Sequence, residues 1–129
     1  MPAQPAPCAA PKLTSLAFGR GSPQRKIMWR QALIAPDGRM TMLLNGIERL
    51  LKQNGASPVP FVAAQSLSVA DLALWRAVGW LSCGVIDGIP STYISTTFPL
   101  LWQLHCAVDE QPKVQAWKAK HPRHYARRR

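Results

Sequence analysis

Apolar residues recur at three- and four-residue intervals over most of the chain, and nowhere do they alternate in the manner of a half-buried strand. Met40, Leu43, Leu44, Ile47, Leu50 and Leu51 make one face of an amphipathic helix, with Arg39, Asn45, Glu48, Arg49 and Lys52 on the other. Gly55, after Asn54, stands where such a helix ends in a left-handed residue. Upstream, Gln24 to Ala35 carries Ile27, Met28, Ala32 and Ile34 among basic residues, which predicts about two turns of helix stopped by Pro36. Asp37-Gly38 is the turn between the two helices.

The sharpest local signal is Leu67-Ser68-Val69-Ala70-Asp71-Leu72. Ser68 and Asp71 have the spacing of a capping box, in which the serine oxygen accepts from the Asp71 N–H and the carboxylate accepts from the Ser68 N–H. Leu67 and Leu72 are placed to touch as a hydrophobic staple. From Ala73 to Leu81 the only charge is Arg76, so this helix is expected to be buried nearly all round at the centre of the fold. Interrupted by Arg76 and Gly79, it is too short to span a bilayer.

Beyond it, Gly84 is a stop, Val85 to Pro90 a turn-rich connection and Pro90 to Thr96 a short helical turn. Phe98-Pro99 opens a further helix, since proline is tolerated at the first helical position, and Leu101, Leu104 and Val108 mark its inward stripe. Gln111-Pro112 starts the last helix, which has Val114 and Trp117 three apart and closes at Pro122. The predicted class is all-α, a small helical bundle.

Charge adds less than its total suggests. The 129 residues, enough for one domain, carry a net charge of +10. Five basic residues precede the first acid, Asp37, and Arg123, Arg127, Arg128 and Arg129 crowd the end. Between these tails the charges nearly balance. Residues 1–23 hold five of the twelve prolines and read as a disordered leader, 24–122 as the helical domain, and 123–129 as a basic tail. An acid-free start leaves organellar targeting open, although its prolines oppose the amphipathic helix that such a signal needs. The tail's arginines suit phosphate or an acidic surface, but a solvated tail is the favoured reading, and neither nucleic acid nor membrane is the expected partner.

Cys8, Cys83 and Cys106 form no CxxC pair, which points to a reducing, cytoplasmic compartment and to inert core thiols at Cys83 and Cys106. His105 with Asp109, and His121 with His124, lack further ligands at a zinc spacing, so no metal is expected. Trp75, Trp80, Trp102 and Trp117 are read as core or half-buried packing residues.

From about Met40 to Pro122 the chain resembles the C-terminal helical domain of cytosolic glutathione transferases, sigma-type members most of all. The residues that carry the likeness are Ile47-Glu48-Arg49-Leu50-Leu51-Lys52-Gln53-Asn54-Gly55, Phe61-Val62, Leu67 to Leu74, Phe98-Pro99, Leu101 and Gln111 to Trp117. Ala63-Ala64 departs from the Gly-Asp that the family often has there. The resemblance implies a bundle whose first helix is shortened, and a core helix begun by Ser68, Asp71, Leu67 and Leu72. In that family glutathione and the catalytic Tyr, Ser or Cys belong to a thioredoxin-like domain, for which residues 1–23 are too few. No catalytic, cofactor-binding or metal residue is therefore expected here, and glutathione enters only if such a domain is supplied elsewhere. Tyr93 is not expected to be catalytic.

Two functions follow from the resemblance. One is a truncated or divergent glutathione transferase, inactive alone, whose family conjugates glutathione to electrophiles. The other is a noncatalytic interaction module of the kind found in translation elongation factor and tRNA-synthetase assemblies. Both leave an apolar face open, and the expected partner is a second copy or another protein.

Overall fold

The computed structural model describes residues 22–55, 61–63 and 66–122. Among these residues there are six helices and no strand: α1 Pro23–Ile34, α2 Arg39–Asn54, α3 Val69–Ser82, α4 Tyr93–Thr97, α5 Pro99–Asp109 and α6 Pro112–Lys120. The expected leader lies outside the described residues except for Ser22 and Pro23, and the basic tail lies outside them altogether. Ser22 and Pro23 start α1: the Ser22 hydroxyl accepts from the Arg25 N–H at 3.3 Å, and Pro23 takes the first position, where no N–H is needed. The 12 residues of α1 cover the expected Gln24 to Ala35 stretch to within one residue at each end, and all of it is helical where about two turns were expected.

The core is the seam between α3 and α5, with α2 and α4 closing its sides. Leu101, Leu104 and Val108 of α5 are fully buried, as are Phe98, Ile94 and Leu51, and Trp75, Val78 and Leu81 of α3 pack against them. The α5 stripe works because its i, i+3, i+7 spacing keeps all three residues on one side of the helix. Tyr93 and Phe98 meet edge to face with centroids 5.6 Å apart, which ties the short α4 into this seam.

Turn chemistry fixes the joints. Gly55 ends α2 at φ +53°, a left-handed conformation that a side chain opposes. Gly38 has ordinary φ but no room, because a Cβ there would run into the carbonyl oxygens of Ala32 and Leu33. The Thr41 hydroxyl donates to the Ile34 carbonyl at 3.0 Å, which satisfies one of the orphaned acceptors at the end of α1. With that hydrogen committed, the Tyr93 hydroxyl is the donor in its buried 2.6 Å contact with Thr41.

Three sequence expectations are corrected. The α3 helix is not buried all round: Asp71, Trp75, Val78 and Leu81 face inward, while Val69, Leu72, Arg76 and Trp80 are exposed. Its neighbours α4 and α5 cover only one side, and Ala70, Ala73 and Ala77 complete the other. On α2, Met40, Leu44 and Ile47 pack on the core with Leu51, but Leu43 and Leu50 turn outward, and Thr41 and Glu48 take inward positions instead. Among the tryptophans, Trp75 is buried and Trp102 half-buried, whereas Trp80 and Trp117 are exposed at 47% and 53%.

Candidate functional site

A largely apolar groove lies beside the start of α3. Asp71 is fully buried, and its carboxylate collects three donors. Its Oδ2 accepts from the Ser68 N–H at 2.8 Å and from the Ser68 hydroxyl at 2.9 Å, and Oδ1 accepts from the Val62 N–H at 2.9 Å. Ser68 and Asp71 form the reciprocal capping box, and the Val62 bond extends it to the preceding loop. Asn54 holds the same loop from the other side, its amide donating to the carbonyls of Phe61 at 3.0 Å and Val62 at 2.6 Å. Enclosed from solvent and held by three donors, Asp71 is a structural acceptor.

Leu67 and Leu72, which flank this cap, open onto a largely apolar groove of about 730 Å³, shared with Trp75, Val114 and Trp117. They are 40% and 38% exposed, so the pair forms part of the groove wall.

Behind the groove a polar cluster joins α3, α5 and α6. The Trp75 indole donates to Asp109 Oδ1 at 3.1 Å, and Lys118 pairs with the same carboxylate at 2.9 Å. Burial pushes the Asp109 carboxyl up, but the Lys118 ammonium and the Trp75 N–H together outweigh it and hold the carboxyl below its ordinary value. His105 Nδ1 lies 3.1 Å from the Trp75 carbonyl, and its ring stacks on Trp102. Burial lowers its pKa, which keeps the imidazole neutral near pH 7 and makes Nδ1–H the donor. Every member of this cluster is therefore held by another; it is a lock between helices.

The remaining chemical candidates are dispersed. Cys106 is half-buried and its thiol is pushed up by burial, with Glu110 and Asp109 adding to the shift, so it is a poor nucleophile. Cys83, also half-buried and therefore not a fully enclosed core thiol, donates to the Trp80 carbonyl at 3.0 Å. His121 stacks on Trp117, centroids 3.9 Å apart, while His124 and Cys8 lie outside the described residues. Burial raises the Tyr93 pKa above its ordinary value. Among the described residues no three His, Cys, Asp or Glu side chains gather as a metal site would require, and no helix is long and apolar enough to cross a membrane.

Glu48 is the residue that sequence reasoning misplaced. Assigned to the solvent face of α2, it instead reaches α5, where its two oxygens accept from the N–H groups of Leu100 at 2.8 Å and Leu101 at 2.9 Å. Pro99 lacks an N–H, so Glu48 takes the next two orphaned donors of that helix and sets a negative charge at its positive end. The available signal was Phe98 at the position before Pro99, an apolar side chain where Ser, Thr, Asp or Asn would cap locally, which left α5 without a side-chain cap of its own.

With this geometry in place, the comparisons are specific about the domain. Residues 29–121 match the sequence model of the glutathione S-transferase C-terminal domain. No curated protein and no solved structure matches the chain. The matched span runs from within α1 through α6 and includes the capping box, the α5 seam and the groove. The chain belongs to the glutathione S-transferase C-terminal domain family.

Proposed function

We propose that this domain is a docking unit, noncatalytic by itself, whose open apolar surfaces are completed by another protein or protein domain. The observation that carries this reading is the groove beside α3, where Leu67, Leu72 and Trp117 remain 38–53% exposed around one concave surface. Covering a large apolar side chain is worth roughly 1.5–3 kcal/mol, so leaving several together in water is costly unless something binds there. The family's chemistry supports the same reading: its glutathione site belongs to a thioredoxin-like domain, and here Asp71, Asp109, His105 and Tyr93 are all committed to internal hydrogen bonds. A glutathione transferase whose thioredoxin-like half comes from elsewhere, and a docking module of translation assemblies, both use such a domain in this way. The cytoplasm is the compartment that suits either.

Size-exclusion chromatography with light scattering, a hydrophobic dye and a conjugation assay with glutathione and a generic electrophile together test the proposal. The expected result is dye binding or self-association with no conjugation. Conjugation by the pure chain, or a compact monomer that binds no dye, overturns it.

A further inference from the structure

The outward side of α2 is unlike a solvated helix face. Met42 and Leu43 are 63% and 62% exposed, Leu50 is 40% exposed, and Gly46 lies between them. On a helix these positions form one ridge, because Leu43, Gly46 and Leu50 follow i, i+3, i+7 and Met42, Gly46 and Leu50 follow i, i+4, i+8. Among the described residues nothing requires the glycine: a Cβ at Gly46 would meet no atom within 4 Å. In a helix interior glycine is a poor former, and alanine fits here without contact, so folding alone gives no reason for it. A partner backbone crossing close to α2 does.

Charge decides the kind of partner. Arg39 and Arg49 are exposed at the ends of the ridge, and neither has an ion pair among the described residues. The single acid of α2, Glu48, faces the other way with both oxygens bound to α5. The adjoining α1 carries Arg25 and Lys26 and no acid, its Arg30 being turned to the Asp87 carbonyl at 2.9 Å, and the turn before α2 holds one acid, Asp37. The surface is therefore apolar along its crest and cationic along its flanks. Two copies packed through it would gather four arginines along one seam, which opposes self-pairing.

We infer that the Met42–Leu43–Gly46–Leu50 ridge of α2 is a docking site for an acidic amphipathic helix of a partner protein, which crosses α2 at Gly46. The partner's apolar residues lie between Met42 and Leu50, and its carboxylates pair with Arg39 and Arg49. This inference rests on the docking reading and names one partner chemistry for it, on a face separate from the groove.

The test uses the full chain and a helical peptide of about 14 residues, with leucines at i, i+3, i+4 and i+7 and glutamates on both flanks, titrated by calorimetry. Binding is expected to weaken severalfold between about 50 and about 500 mM salt and to vanish when the glutamates are replaced by lysines. Gly46→Trp, which has open space around it, is expected to keep the helical circular-dichroism spectrum and weaken binding at least about tenfold. Gly46→Ala, a smaller obstruction, weakens it less. Equal binding of the lysine peptide, or unchanged binding by Gly46→Trp, overturns the inference. So does a dimer of the unmodified chain that Gly46→Trp dissociates, since the occupant is then a second copy. These outcomes are separate from the conjugation assay, which bears on the docking reading alone.

Discussion

The α5 and α2 helices are both amphipathic, yet they use their apolar residues differently. In α5 the stripe of Leu101, Leu104 and Val108 is completely enclosed, and folding accounts for all of it. In α2 the inner side is filled by Met40, Leu44, Ile47 and Leu51, and three further large apolar residues stand on the outer side. A helix with one apolar face needs one neighbour; a helix with two is prepared for a second. Stability experiments on the two faces should therefore diverge sharply.

The largest effects belong to the enclosed side. Leu101→Ala leaves a cavity at the centre of the seam and is expected to cost about 2–5 kcal/mol, read as a lower urea midpoint with unchanged slope. Asp71→Ala strands the N–H groups of Val62 and Ser68 together and is expected to cost about 3 kcal/mol. Glu48→Ala, which uncaps α5, should cost about 1–2 kcal/mol in the same measurement. A loss of less than a few tenths of a kcal/mol would place the Glu48 contact outside the fold's energetics.

Acid should weaken the lock between helices in two stages. The folded-state pKa of His105 is lowered, so the unfolded chain binds the proton more readily, and stability is lost as pH falls below the ordinary value of 6.5. Asp109 is also lowered, so its contribution is present above 3.8 and disappears below that. Thermal melts from neutral to acid pH should show both declines, and His105→Gln should remove the first.

How far the sequence reveals this architecture depends on how local each cause is. The α3 cap at Ser68 and Asp71, the stop at Gly55 and the α5 stripe all arise from residues within a few positions of one another, and sequence spacing shows them directly. Glu48 caps a helix 52 residues away, and Thr41 meets Tyr93 at the same separation. Such partners are invisible until the chain is folded. Period alone also places Leu43 and Leu50 inside, because six of the seven large apolar residues of α2, all but Met42, look like one broad face when only one neighbour is imagined. The core side of that helix has room for fewer, and the excess is the clue to the outer ridge. The groove was legible only in part: Leu67 and Leu72 were marked as a staple, while Trp117 comes to the same surface from α6.

The difference between the two faces of α2 is tested most directly by the double variant Leu43→Gln, Leu50→Gln, measured for both thermal stability and binding of the glutamate-flanked peptide. A role in docking predicts a melting temperature within about 3 °C of the unmodified chain and binding weakened at least about tenfold. A fall of about 10 °C or more with binding intact would show that these leucines belong to the fold, and would contradict the account.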